Sequence, residues 1–463
     1  LSVTMAASLL ISFTFSWDPY LALAAMVGVQ IGGVYGGSRS AILLNIPGAP
    51  AAVATGLDGY PLAKKGLAGK AIGVTVIQSF IGGLIGTFIL AFGAPMLSEF
   101  ALKFAPRDYL LLGMMGLLLV GSLGSESTAR GIFAALIGLF VGVIGLDAVT
   151  GQERFTFGNI YLMGGVSYIV VMLGLFGMSE ALVQLRDMSI HPVKQKVDKL
   201  RPDFKSVLKY VPLTIRSALL GTFVGALPGT GGDIAALMAY DQAKRTTRNP
   251  EVPFGEGAIE GLVAPESANN AAIGGAYIPM LTLGIPGDAV TAIVLGAMFI
   301  HGLRPGPLFM TESPEIFGFI VANNVIGNIF LCIFGFMGIK LFTKIVEVPK
   351  HILMPVIIIL SVIGSYTINN SVADIYYMMG FGLIGYFLKL YNVPVPPIIL
   401  GVILSSLIEQ NFRRSMSMAG NSIPRFIWDM LSNPISLVLI IAIVFMMFSQ
   451  TDTYRKIRFK ENA

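Results

Sequence analysis

Residues 266–288 read ESANNAAIGGAYIPMLTLGIPGD, and the fold turns on how they are read. Ala271 to Leu283 is mostly apolar and small, Ala289 to Ile300 is apolar again, and Gly284-Ile285-Pro286-Gly287 separates them. Proline removes a backbone donor and glycine the side chain that stiffens a helix, so a helix broken in its middle is predicted. Within a bilayer, freed backbone groups persist only where protein or a wet cavity satisfies them, which makes such a break a candidate binding site. Residues 32–50, GGVYGGSRSAILLNIPGAP, put Asn45-Ile46-Pro47-Gly48 at the same point of their own apolar segment. Two copies of one unusual break predict two related halves of a site.

Composition sets the class around these breaks. Of 463 residues, 54% are hydrophobic and 12% charged, about half the charged fraction of a soluble globular chain. Mean hydropathy is +0.76. Many apolar runs approach the ~20 residues that span a bilayer, so the chain reads as an all-α polytopic membrane protein. Its 54 glycines suit close helix packing and broken helices. The single cysteine, Cys332, excludes an internal disulfide framework or a cysteine-based metal site. His191, His301 and His351 lie far apart and make no HExxH. Gly69-Lys70 is followed by Ala71 and lacks the upstream glycine of a phosphate-binding loop, and no GxSxG occurs. Neither an enzyme nor a bound cofactor is expected. The net charge of +5 reports loop sidedness in such a chain rather than nucleic acid.

Taken in order, residues 1–185 form a first transmembrane repeat, 186–209 a basic cytoplasmic linker, and 210–463 a second repeat with additional C-terminal helices. The first broken segment, about Tyr20 to Gly56, is followed by Lys64, Lys65 and Lys70, and apolar runs lie near 71–94, 109–123, 130–146 and 160–184. In the second half Val211 to Leu227 leads into Pro228-Gly229-Thr230-Gly231-Gly232-Asp233. Ile234 to Tyr240 is then too short to cross a membrane before Lys244, Arg245 and Arg248. Basic residues on both flanks predict a re-entrant hairpin dipping in from the cytoplasm. The second broken segment runs from about Gly257 to His301, and apolar runs near 316–342, 352–366, 373–390, 395–408 and 434–449 complete the chain.

Parity then orients the breaks. If each broken segment crosses once, Lys64–Lys70, the linker, Lys340, Lys344, Lys350 and the tail from Arg455 all fall inside. The first break then runs out-to-in and the second in-to-out. That is the two-inverted-repeat plan of secondary transporters, with re-entrant hairpins and broken helices meeting at the midplane. Arg413, Arg414 and Arg425 dissent by falling outside, which leaves the form of residues 394–432 open. Because the chain opens on Leu1 rather than Met, the first arm of the first hairpin is expected upstream of it.

At these residues the chain resembles the large membrane subunit of tripartite tricarboxylate transporters, the TctA family. The resemblance covers essentially the whole chain and rests on YGGSRSAILLNIPGAP with LDGYPLAKKG, LDAVTGQERFTFG (Leu146 to Gly158), LPGTGGDIAA, and APESANNAAIGGAYIPMLTLGIPGDAVTAIVLGAM. It implies cation-coupled uptake of di- or tricarboxylates across the bacterial inner membrane. The implied partners are a small four-helix membrane subunit and a periplasmic binding protein that delivers the carboxylate. The alternative is a passive channel or scaffold subunit.

A multiply charged anion in low dielectric needs donors that do not trap it, and N–H groups at half-helix N-termini supply them. The candidate substrate residues are therefore Pro47 and Gly48 in the first break, Pro286 and Gly287 in the second, and Thr230, Gly231 and Gly232 at the hairpin tip. Ser38, Ser40, Asn45, Asn269 and Asn270 add neutral donors, and Arg39 offers a bidentate one. Acids inside the membrane are candidates for the coupling ion, Na⁺ or H⁺: Asp58, Asp233, Glu266 and Asp288. Asp233 and Asp288 have a second reading as helix caps.

Overall fold

The structure, a computed structural model, describes residues 2–45, 47–123, 127–147, 150–186, 204–338 and 350–449. Linker residues 187–203, Lys340, Lys344 and the basic C-terminal tail lie outside them. The first half comprises α1 (Val3–Thr14), α2 (Pro19–Leu44), α3 (Ala52–Lys64), α4 (Ala68–Ala101), α5 (Pro106–Leu123) and α6 (Thr128–Gly142). It continues with strands β1 (Gly145–Leu146) and β2 (Glu153–Arg154), α7 (Ile160–Met163), α8 (Tyr168–Met172), a π-helical stretch Leu173–Met178, and α9 (Ser179–Arg186). The second half comprises α10 (Phe204–Gly225), α11 (Gly231–Thr246), α12 (Glu260–Leu283), α13 (Ala289–Ile300), α14 (Phe309–Glu312) and α15 (Pro314–Met337). After it come α16 (Lys350–Asn369), α17 (Val372–Leu390), α18 (Pro396–Met418), α19 (Ile423–Ser432) and α20 (Pro434–Ser449).

Five helical stretches among the described residues are long and apolar enough to cross a membrane: Pro19–Leu44, Ala68–Ala101, Tyr168–Arg186, Pro314–Met337 and His351–Asn369. The chain is a multi-pass, overwhelmingly helical membrane protein. The only sheet among the described residues is the two-residue pairing of β1 with β2, antiparallel, with Gly145 opposite Arg154.

At the centre stands α12, every residue of which is buried. Its small side chains are the reason. Gly82 and Gly86 of α4 press on the Ser267 and Ala271 backbone, and Gly221 and Gly225 of α10 press on Ala268 and Ala272, leaving no room for a Cβ at any of the four. Small residues four apart let helix backbones meet where lipid gives no hydrophobic drive. These pairings rise together along each chain, so α4 and α10 both run parallel to α12. On its remaining side α12 meets α2 in the opposite sense, because Ser38 reaches Glu266 while Gln30 reaches Tyr277.

Both predicted breaks are present, between α2 and α3 and between α12 and α13. Each first limb ends on a left-handed residue at the same motif position, Asn45 (φ 56°) and Gly284 (φ 70°). A left-handed residue just past a helix terminates it while satisfying its last carbonyls. Each break then folds back on its own helix at one offset: Gly48 lies on Gly37, and Gly287 on Ala276. The repeated sequence thus makes one repeated local structure.

Within residues 394–432, whose form parity left open, α18 runs unbroken from Pro396 to Met418. It runs alongside α6, with Gly138 against Ile398 and Gly142 against Ser405. At its far end Arg413 donates to Asp147 and, at 2.9 Å, to Glu409, which also receives Arg154 at 2.6 Å. Arg413, one of the three dissenting arginines, is therefore neutralised where the short β-hairpin docks. Hydrogen bonding by Arg154 holds the Glu409 carboxyl below its ordinary range. Beyond it, α19 meets α20 at 94°.

Candidate functional site

Three glycine-rich turns converge beside α12. The first turn of α11, which follows the tip at residues 226–230, touches both breaks. On one side the Asp233 carboxylate accepts the Ala51 amide at 3.0 Å, just ahead of α3. On the other, Gly231 (φ 59°) packs so closely on Asp288 that a Cβ there would lie 2.8 Å from the Asp288 Cβ. Gly232 meets the Asn269 side chain of α12. A hairpin whose tip reaches the middle of α12 fits the re-entrant form expected from its basic flanks. Thr230 is buried and donates to the Val224 and Leu227 carbonyls, which closes the turn.

The two breaks differ in surroundings. Around the second, Ile285, Pro286 and Gly287 are buried, and a Cβ on Gly287 would lie 2.6 Å from both the Ala276 Cα and the Gly225 carbonyl oxygen. Asp288 caps α13 in a capping box: its carboxylate accepts the Thr291 amide at 2.6 Å, and Thr291 Oγ1 accepts the Asp288 amide at 2.9 Å. Around the first, Asn45 and Pro47 are exposed and line an open cavity of ≈ 270 Å³ with Ala41, Val53 and Tyr60. Ser40 donates to the Gly37 carbonyl at 2.9 Å beneath Gly48. One amide at each second-limb N-terminus thus already faces a carboxylate, Asp233 or Asp288.

Deeper, Glu266 is 0% exposed and sits in a cage of hydroxyls. Ser38 and Thr55 donate to Oε1 at 2.5 Å each, and Ser79 donates to Oε2 at 2.7 Å. These donors come from α2, α3 and α4, so one carboxyl joins four helices. Gln78 extends the cluster by accepting from Thr214 at 2.7 Å and from Ser267 at 3.1 Å. Asn270, one turn beyond Glu266, donates back to the Glu266 carbonyl at 3.0 Å.

Two other sequence candidates lie apart from the turns. Asp58 accepts the amides of Gly255, Gly257 and Ala258 and the Tyr240 hydroxyl, each at 2.8 Å, and so fastens α3 and α11 to the loop before α12. Arg39 directs its guanidinium to the Tyr35 hydroxyl, 3.0 Å, and to the Gly335 carbonyl of α15. Thr55, Ser79, Gln78 and Tyr240 escaped the sequence reading. Their only signal was a polar atom inside an apolar run, and nothing local says which distant partner it meets. No group of three or more potential metal ligands from His, Cys, Asp and Glu occurs among the described residues.

This architecture defines a multi-pass helical membrane protein organised on two matched helix breaks. The chain belongs to the tripartite tricarboxylate transporter TctA family, whose model matches residues 1–400. Membership makes it a subunit of a transporter that works with other subunits, and places it in a transport family rather than an enzyme family. It is 37% identical over 441 residues to a protein of Agrobacterium vitis described as an uncharacterized 52.8 kDa protein in the TAR-I ttuC' 3' region, covering 94% of this chain and 86% of that one. A second Agrobacterium vitis protein, from the TAR-II ttuC' 3' region, is 39% identical over 220 residues, 48% of this chain and 89% of its own length. No solved structure matches with significance.

Proposed function

We propose that this chain is the permease subunit that moves di- or tricarboxylates inward across the bacterial inner membrane, coupled to a cation gradient. A periplasmic binding protein delivers the substrate, and a small four-helix subunit completes the complex. The observation that carries the reading is the hairpin tip held between both breaks by the Asp233–Ala51 hydrogen bond and the Gly231–Asp288 contact. The N-terminal ends of α3, α11 and α13 are thereby brought together, and helix N-termini favour an anion. The antiparallel course of α2 and α12, with the same left-handed stop and fold-back in each, supports an inverted-repeat plan in which one limb moves against a scaffold. On this plan the C-terminus is cytoplasmic.

A passive channel or scaffold role is the competing reading, and counterflow in proteoliposomes separates the two. With both partners present, unlabelled carboxylate inside should accelerate entry of labelled carboxylate, and an imposed cation gradient should drive accumulation. A flux without trans-stimulation or accumulation would favour the channel.

A further inference from the structure

We propose that Glu266 carries the coupling proton, with the polar seam between α2 and α12 as its route; this rests on the transport reading above. The cage is the first ground. Here Ser38, Thr55 and Ser79 stand 2.5, 2.5 and 2.7 Å from the carboxylate, at direct hydrogen-bonding distance. The three hydroxyls bond the carboxylate directly, an arrangement that a proton can join without the donors parting.

Hydroxyl chemistry is the second ground. As a carboxylate, Glu266 accepts three O–H bonds; as the acid, it donates to one hydroxyl, whose own proton turns to a carbonyl one helical turn back, a common alternative for helical serine and threonine. Both states are satisfied without a helix moving away, which a reversible proton site requires. No cation is among its three donors. Burying an ionised carboxylate without one is costly, so loading a proton relaxes the site.

Location supplies the link to transport. Ser38 precedes the first break and Thr55 follows it, so Glu266 of the second broken helix ties together both limbs of the first. Along the same face of α12, Asn270 Oδ1 is buried without a partner among the described residues. Further on, Tyr277 donates to Gln30 Oε1 at 2.9 Å while Gln30 Nε2 is likewise buried and unpartnered. Glu266 to Tyr277 spans about 16 Å of helix, so these groups mark polar points over much of a membrane leaflet.

Other ionisable groups nearby are committed elsewhere. On α2, Tyr35 lies within electrostatic reach of Glu266 and holds Arg39, whose guanidinium also bonds Gly335. On α3, Asp58 is filled by three amides and by Tyr240 of α11. What α4 and α10 bring beside the cage, Gln78 and Thr214, is neutral.

The test uses the chain with its partners in proteoliposomes. In wild type, an inward gradient of about one pH unit should support about tenfold accumulation, the ratio one proton sustains. Glu266→Gln should lose that accumulation and leave an exchange that no longer varies with pH, while Glu266→Asp regains part of both. Normal accumulation by Glu266→Gln, or wild-type accumulation driven by Na⁺ with no response to pH, overturns the proton assignment alone. Absence of any substrate exchange in wild type defeats the transport reading instead. Because Glu266→Gln can fail to fold, the wild-type chain is also treated with dicyclohexylcarbodiimide, which attacks protonated carboxyls in apolar surroundings. Labelling of the peptide containing Glu266 should rise as pH falls, and labelling insensitive to pH counts against the proposal.

Discussion

The Asp233 carboxylate accepts the Ala51 amide at 3.0 Å across 182 residues of sequence, so a hairpin of the second half holds the break of the first. A hydrogen bond to a charged group contributes about 1.5–3 kcal/mol. Asp233→Ala should therefore free the turn ahead of α3 and cut uptake sharply, whereas Asp233→Asn keeps an acceptor and retains part of it. Initial uptake rates, with limited proteolysis of the 226–233 turn as a structural control, check this.

The fold-back at each break makes a steric prediction. Gly287→Ala and Gly48→Ala place a Cβ 2.6 Å from Ala276 and 2.7 Å from Ser40 Oγ, respectively. Overpacking of this kind costs about 1–3 kcal/mol. Both variants should lose uptake with a modest fall in melting temperature, and Gly287→Val should lose more. Gly36→Ala, where nothing lies within 4 Å, should transport normally and serves as the control.

Asp58 is read as a fastener. With three amides on Oδ1 and the Tyr240 hydroxyl on Oδ2, Asp58→Asn replaces a charged acceptor by a neutral one and turns the Tyr240 bond round, and should destabilise the chain by about 1–3 kcal/mol. The residual uptake should keep its wild-type dependence on Na⁺ and pH. A changed ion dependence would return Asp58 to the coupling candidates.

The ion cluster at the end of α18 has a pH signature. Because Arg154 lowers the Glu409 carboxyl in the folded state, its stabilisation is full above the ordinary glutamate value near 4.5 and is lost as pH falls through the lowered one. Proteolysis of the β1–β2 hairpin should accelerate over that acidic window in wild type. It should be fast at all pH values in Glu409→Gln.

Much of this was legible in sequence because the breaks are punctuated by proline and glycine, which act locally. The ends of α2 and α12, the turn between α10 and α11 and the capping role of Asp288 all follow from short stretches. What stayed hidden depends on pairing at a distance: Ser79 and Thr55 meeting Glu266, or Tyr240 meeting Asp58, across 182 residues or more. The partner of Arg413 was hidden for the same reason: Asp147, in the β1–β2 hairpin, is 266 residues away.

The central claim is that the carboxylate binds where the hairpin tip meets the breaks. Ala226→Cys in a Cys332→Ser background puts one thiol beside that tip, at a half-buried position. Modification by a membrane-permeant maleimide should be slowed, saturably, by the transported carboxylate and not by an uncharged analogue. Labelling that no carboxylate slows, in a variant that still takes substrate up, would contradict the account.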